Sequence, residues 1–241
     1  VTIKGNSRTN DHVVFREIRT RPGSLFSRND LIRTTRELAQ LKFFNPEKIV
    51  PNVDPHPEDG TVDIEYELEE TSADQIEISG GWGYGRLMGT VGLMFNNFSL
   101  RNVFNGKAWR PIPTGDGQTL SLRLQSYGKG YISYSFSFIE PWIGGKKPNS
   151  LSVSYYHSLY SNGLPKSDTN RSSFVINGVS VGLGKRLSWP DDYFTLYQGI
   201  SLQRYDLKNY ANIFSFGNGT GYYNNFSYTI ALSRNSISSP I

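Results

Sequence analysis

From residue 75 to its end the chain keeps a single hydrophobic period of two. Strict alternation sends successive side chains to opposite faces of a strand, so it excludes helical packing over that whole stretch. The first segment sets Ile76, Ile78, Gly80, Trp82 and Tyr84 against Glu77, Ser79, Gly81 and Gly83. Later segments repeat the arrangement: Leu87 to Phe95, Leu120 with Leu122 and Leu124, and Ile132 with Tyr134, Phe136 and Phe138. Leu151 with Val153 and Tyr155, Val179 with Val181 and Leu183, Ile200 with Leu202, and Tyr228 with Ile230 and Leu232 complete the series. That makes eight predicted strands, each near the roughly ten residues that a tilted strand needs to cross a bilayer.

The face opposite the apolar one is Ser, Thr, Gly, Gln or Arg nearly throughout, as a water-filled lumen requires. Tyrosines, phenylalanines, Trp82, Trp109, Trp142 and Trp189 gather at strand ends, where an interfacial aromatic girdle would sit. A soluble β-sandwich also alternates, but it does not explain both features. The pattern therefore predicts antiparallel transmembrane β-barrel strands with Leu122, Leu124, Tyr134, Phe136, Val153, Val181, Leu202 and Ile230 toward lipid. Gly80, Gly81, Gly83 and Gly85 weaken the first strand's packing against a neighbour. They are not a dinucleotide-binding loop, because Met88 stands where the third glycine is needed and no helix pattern follows.

Charge divides the chain at the same place. Residues 1–75 hold ten Lys/Arg against fourteen Asp/Glu, whereas residues 76–241 hold fifteen against seven. The cations of the second part are scattered singly along strands, which excludes a nucleic-acid surface. There is no cysteine, hence no disulfide framework or thiolate metal site. No apolar run is long enough for a helical membrane span, which leaves a strand-built barrel untouched. Asp54, His56, Glu58 and Asp59 cluster between Pro55 and Pro57, which reads as an exposed turn rather than a cation site. Asn97-Phe-Ser99, Asn218-Gly-Thr220 and Asn225-Phe-Ser227 fit a glycosylation pattern by chance. No nucleophile–base pair or carboxylate dyad stands out. The expectation is a non-enzymatic protein without a cofactor or metal.

Residues 1–72 read as a small α+β domain, with the barrel strands occupying 73–241. Val1–Lys4 is a short strand ended by Gly5-Asn6, and Asn10 caps a helix that Pro22-Gly23 stops. Ser27, with Asp30 three residues on, opens a second helix whose inner face is Leu31, Ile32, Thr35, Leu38, Ala39 and the Lys42 stem. Phe43-Phe44-Asn45-Pro46 ends it, and strands at 49–53 and 61–68 flank the turn at 55–60. In the last strand Val62, Ile64, Tyr66 and Leu68 face the core, leaving Asp63, Glu65, Glu67 and Glu69 to water.

That β-α-α-β-β order resembles a POTRA domain, the periplasmic module that precedes certain outer-membrane barrels. Val1-Thr-Ile-Lys-Gly-Asn6 resembles its "V-x-I-x-G-N" opening. Leu38-Ala-Gln-Leu-Lys-Phe-Phe44 resembles its "L-x-x-x-G-x-F" helix end, with Leu41-Lys42 where the family often has glycine. Thr61-Val-Asp-Ile-Glu-Tyr-Glu-Leu68 resembles its closing strand. Two loop motifs carry the resemblance onward to the BamA family of outer-membrane assembly factors. They are Asn102-Val-Phe-Asn-Gly106, with Asn105 intervening in "N-[LVF]-F-G-x-G", and Glu140-Pro-Trp-Ile-Gly144, similar to "[DE]-P-[WY]-[LI]-G".

The resemblance covers the whole chain as a last POTRA domain plus half a barrel. It implies a place in the bacterial outer membrane with the N-terminal domain in the periplasm. Members have about sixteen strands, an even number, and a "V-R-G-[FY]" loop that is absent here, so the chain reads as a fragment of a longer protein. The implied function is assembly and insertion of β-barrel proteins. The first strand, Gln75, Ile76, Glu77, Ile78, Ser79, Gly80, Gly81, Trp82 and Gly83, would template the incoming strand at a lateral gate. Implied partners are unfolded outer-membrane protein substrates, lipoprotein subunits of an assembly complex and the lipid bilayer. The alternative is a two-partner-secretion pore with the same POTRA-barrel layout, and a third is a passive porin.

Overall fold

The order of elements follows from two rules, helix periodicity before residue 70 and strand alternation after it. The computed structural model describes residues 1–72, 74–83, 85–109, 111–145, 147–210 and 218–235. Tyr84, assigned above to the first strand, and residues 236–241 lie outside these. The described residues form two compact units, Val1–Asp74 with Phe95–Gln118, and Gln75–Met94 with Thr119–Asn235.

In the first unit β1 (Thr2–Lys4), α1 (Asp11–Phe15), α2 (Arg28–Gln40), β2 (Val50–His56) and β3 (Thr61–Glu67) follow in that order. The sheet runs β1-β3-β2, with β1 parallel and β2 antiparallel to the central β3. Its core is Val13, Val14, Ile18, Leu38, Phe43, Phe44, Ile49, Ile64, Tyr66 and Leu68. Tyr66 is fully buried, and its hydroxyl is satisfied by Thr20 Oγ1 at 2.9 Å. Gly5 has φ +93° beside the Leu68 carbonyl, where any Cβ would collide. Across the β1–β3 pair Lys4 Nζ lies 2.8 Å from Glu65, whose hydrogen bond and charge hold the ammonium above its ordinary pKa.

Local chemistry departs from the sequence reading in three places. Helix α1 ends at Phe15 instead of running on toward Pro22, and Asn10 at its N-cap makes no capping bond. The Asn10 amide instead donates to Asp116 Oδ1 at 2.9 Å. Ile32 does not belong to the inner face of α2. It is 40% exposed, and the buried position is Thr34, which accepts from Arg19 N at 3.0 Å and donates to the Asp30 carbonyl at 2.8 Å. Ser27 caps α2 as expected, its Oγ accepting from Asp30 N at 3.3 Å. Finally Lys42, which stands where the POTRA-like pattern has glycine, takes φ +66°, so a lysine bears the left-handed conformation that ends the helix.

Within this first unit residues 99–117 pack around one carboxylate. Asp116 is 4% exposed and accepts from Asn10 and, at 2.6 Å, from Ser99 Oγ, which is itself fully buried. His12 Nε2 lies 3.5 Å away, and Asn97 Nδ2 donates to Thr9 Oγ1 at 2.9 Å.

The second unit is one antiparallel sheet. Its strands are β4 (Gln75–Gly83), β5 (Arg86–Phe98), β6 (Gln118–Tyr127), β7 (Tyr131–Glu140), β8 (Asn149–Ser161), β9 (Ser173–Arg186), β10 (Phe194–Lys208) and β11 (Gly221–Arg234). They lie in sequence order, each paired with its neighbour, so every connection is a hairpin. On one face a register row reads Leu122, Phe136, Tyr155, Val179, Leu202 and Phe226. On the other face a row of six serines crosses the same strands: Ser121, Ser137, Ser154, Ser180, Ser201 and Ser227. Within it Ser154–Ser180 and Ser201–Ser227 hydrogen-bond at 2.6 Å. Among the described residues nothing covers the apolar face: Leu122, Phe136, Val179, Leu202 and Phe226 are all 39% to 64% exposed. A soluble sandwich would bury such a face under a second sheet.

The aromatic residues sit differently from the expected girdle. Tyr127, Tyr131, Tyr160, Phe174 and Tyr205 do meet at one end of the sheet, with centroids 4.8 to 5.9 Å apart. They stand on the serine face, not the apolar one, because their register positions share the parity of Ser133, Ser158 and Ser201. On the same face the Tyr156 ring lies over Gly178 and the Tyr197 ring over Gly182, where a Cβ would collide.

Two outcomes follow from this fold. Replacing Lys42 by glycine removes a left-handed non-glycine residue and should stabilise the first unit by up to about 1 kcal/mol, read from its denaturation midpoint. Placing Arg at Leu122 or Phe136 should cost about 2–4 kcal/mol near a bilayer midplane, whereas Ser121→Arg or Ser135→Arg should cost little. The fraction of heat-shifted, folded band on a gel measures this, and equal losses on both faces would point to two buried sides.

Candidate functional site at the edge strand

Strand β4 is the terminal strand of the eight-stranded sheet, and its outer edge has no ladder partner among the described residues. All nine residues singled out in the sequence, Gln75 to Gly83, lie in it. It pairs with β5 from Gln75↔Met94 to Gly83↔Arg86. Gly85 falls in the following turn with φ +70°, so three of the four glycines are in the strand itself. An antiparallel strand points alternate N–H and C=O pairs toward its neighbour and the rest outward. β4 therefore carries a row of outward donors and acceptors that a further strand could complete.

Side chains do little to hold β4 in place. Gly80 faces Gly89 and Glu77 faces Gly92, so these two pairs offer no side-chain match, while Ile76–Leu93, Ile78–Val91 and Trp82–Leu87 pair on the apolar face. Ile76, Ile78 and Trp82 are 69%, 77% and 75% exposed on the apolar face. On the polar face Gly92 leaves room for Glu77 to pass over β5. A Cβ there would come within 3.2 Å of Glu77, whose carboxylate reaches Arg123 on β6 at 3.1 Å. Both partners are half exposed, which puts such a pair at about 0–1 kcal/mol. Sequence reasoning missed Arg123 because the two residues are 46 positions apart, and only the register of three strands brings them together.

The eight residues assigned to lipid fall on β6 to β11 and share the apolar face: Leu122 and Leu124, Tyr134 and Phe136, Val153, Val181, Leu202, and Ile230. In the first unit His56 Nε2 pairs with Asp63 at 3.2 Å, within the turn and strand already assigned to the surface.

Comparison with known proteins completes the picture. Residues 1–71 match the POTRA family, described as surface antigen variable number repeat. The chain is 27% identical over 188 residues to a Treponema pallidum protein that carries the name of an outer membrane protein assembly factor, covering 73% of this chain. It is 26% identical over 193 residues to the outer membrane protein assembly factor BamA of Neisseria meningitidis, covering 79% of this chain. It spans about a fifth of the length of those relatives (20% and 21%). Among solved structures, BamA from Haemophilus ducreyi lacking POTRA domains 1–3 aligns over 99% of this chain and 44% of its own, with TM-score 0.63 and 21% identity. CdiB from Acinetobacter baumannii aligns over 86% of this chain and 38% of its own, with TM-score 0.50 and 13% identity, a likeness of fold. The chain is thus BamA-like in sequence and fold, a periplasmic POTRA domain followed by eight antiparallel barrel strands in the outer membrane.

Proposed function

We propose that this segment helps fold and insert β-barrel proteins into the outer membrane, with β4 as the template strand of a lateral gate. The observation that carries the reading is the make-up of the β4–β5 hairpin, where Gly80 faces Gly89, Gly81 faces Met88 and Glu77 faces Gly92. An incoming strand cannot leave its N–H and C=O groups bare in hydrocarbon, where each costs several kcal/mol. Pairing with β4 satisfies them before the substrate's own barrel closes, which is β-augmentation inside a membrane. The weak Glu77–Arg123 pair and the glycine-facing middle of the hairpin suit an edge that exchanges partners. The role needs no catalytic residue and no cofactor, so the reading is not that of an enzyme.

The partners are unfolded outer-membrane protein substrates at β4 and lipoprotein subunits at the POTRA domain. For the latter, the exposed acidic residues of β3 and the solvent edge of β2 are the candidate surfaces. A translocation pore remains distinct from this reading, since it would pass substrate along the serine face without pairing it to β4.

Because facing positions alternate between inward and outward ladder bonds, adjacent prolines in β4 must differ. One of Ile78→Pro and Ser79→Pro should impair the β4–β5 hairpin; the other should leave a folded barrel that no longer assembles substrate. Ile78→Val and Ser79→Thr keep the ladder and should be nearly silent. Since the chain has no cysteine, single Cys residues at 75–83 can be tested for disulfides to a Cys in a stalled substrate's strand. Crosslinks should repeat with period two. Full assembly with both prolines and no crosslink at any position would leave a pore as the better account.

The buried Asp116 provides a test of the POTRA unit. Asp116→Ala leaves Asn10 and Ser99 without their acceptor and should destabilise the first unit by about 1–3 kcal/mol. The barrel should still give a heat-shifted band while levels of folded outer-membrane proteins fall. Unchanged levels would detach the POTRA unit from assembly.

A further inference from the structure

The apolar face of the second unit is interrupted along one register row. Beside the row of Leu122 to Phe226, the next runs Leu124, Tyr134, His157, Asn177, Arg204 and Asn224. It begins apolar on β6 and turns polar from β8 onward. At the opposite end the order reverses, with Lys185 on β9 facing Leu196 on β10, which faces Leu232 on β11. An apolar belt that crosses register rows obliquely is what tilted strands produce in a flat bilayer. The belt therefore ends between Leu202 and Arg204 on β10, and between Phe226 and Asn224 on β11.

A recess of about 490 Å³ lies at that boundary. Its apolar half is lined by Val179, Leu202 and Phe226 and its polar half by Asn177, Arg204 and Asn224. Arg204 Nε donates to Asp206 Oδ1 at 3.2 Å, and its guanidinium carbon lies 4.7 Å over the Tyr222 ring. These two contacts orient the guanidinium. Its terminal nitrogens have no hydrogen-bond partner among the described residues, and the side chain is 56% exposed. Asn177 Oδ1 meets the His157 ring at 2.8 Å and the Tyr155 hydroxyl at 3.4 Å, and the residue lines the recess. Among the described residues lining the recess, Arg204 is the one permanent cation.

We propose that this recess binds an anionic membrane phospholipid. A hydrocarbon chain lies along Val179, Leu202 and Phe226, and the phosphate is held by Arg204 with Asn177 and Asn224 donating beside it. A planar guanidinium presents parallel N–H donors that match phosphate oxygens, and stacking on an aromatic ring keeps it in place at an interface. The juxtaposition of an apolar floor with a cationic rim selects an amphiphile over a free anion, whose small size would leave the floor wet. Asp206 moderates the site by sharing the same guanidinium. The inference rests on the membrane placement of the sheet and is independent of strand templating at β4.

The test uses the full-length protein that carries this segment, folded into zwitterionic bilayers. A fluorophore on Tyr228→Cys, next to the recess on β11, reports local quenching by nitroxide-labelled phosphatidylglycerol or phosphatidylcholine. The anionic quencher should be preferred, and Arg204→Gln should lower that preference roughly fivefold, the effect of one basic residue near an anionic surface. Asp206→Asn should raise it, and Lys166→Gln, in the loop after β8, should leave it unchanged. Inorganic phosphate added to the buffer should not displace the lipid. If Arg204→Gln keeps the full preference, or if phosphate abolishes it in the native protein, the lipid site is wrong. Should Arg204→Gln not fold, Asn224→Asp, which places a negative charge in the recess, should lower the preference in its place. Absence of a heat-shifted band in the native protein would overturn the membrane placement itself, and with it this inference.

Discussion

Hydrocarbon offers no partner for a backbone N–H or C=O, and that constraint organises most of this chain. Every strand from β5 to β10 is paired on both sides, so its main chain is satisfied within the sheet. Side chains are then free to differ between faces, with leucine, valine and phenylalanine rows on one and a row of six serines on the other. Within the eight-stranded sheet the outer edges of β4 and β11 have no ladder partner among the described residues. The functional proposal draws on the same rule, since a strand entering hydrocarbon must pair its main chain there.

Much of this was legible from residue order. Alternation located all eight strands because one face is apolar over most of its length, and a one-residue slip would turn every Leu and Phe to the wrong side. What escaped was non-local. Asn10 leaves α1 uncapped while its amide donates to Asp116, more than a hundred residues away, and nothing near Asn10 announces it. The burial of Thr34 in place of Ile32 depends on the Arg19 backbone needing an acceptor. The aromatic cluster at Tyr131, Tyr160 and Phe174 could be assigned to a strand end from sequence, but its face follows only from register parity. Lys42 was visible as a departure from glycine; its left-handed backbone explains why glycine suits that position.

The first unit shows a second use of buried polar groups. Asp116 is held by donors from the N-cap of α1 and from Ser99, so the turn between β5 and β6 is stitched to the POTRA core by charge-assisted bonds instead of by an apolar patch. Such contacts are directional and fail together when one acceptor is lost, whereas a greasy contact would slide. The segment Phe95–Gln118 consequently belongs with the POTRA unit although β5 and β6 both continue into the barrel sheet. Among the described residues the chain thus passes between the two units three times, at Asp74–Gln75, Met94–Phe95 and Gln118–Thr119.

The distribution of side-chain anchoring within the sheet separates its two ends in kind. From β6 to β10 neighbouring strands meet through Leu–Phe, Tyr–Tyr and Ser–Ser pairs, so a strand leaving its place would lose packing on both faces. At β4 the facing pairs include Gly80 with Gly89, Gly81 with Met88 and Glu77 with Gly92. Little but the main-chain ladder binds them, and a ladder is indifferent to sequence. A replacement strand of any composition can recover the same hydrogen bonds, so exchanging one partner for another costs little beyond the time for which bonds stand open. The templating proposed for β4 would need that indifference, which the glycine-facing pairs Gly80–Gly89, Gly81–Met88 and Glu77–Gly92 favour.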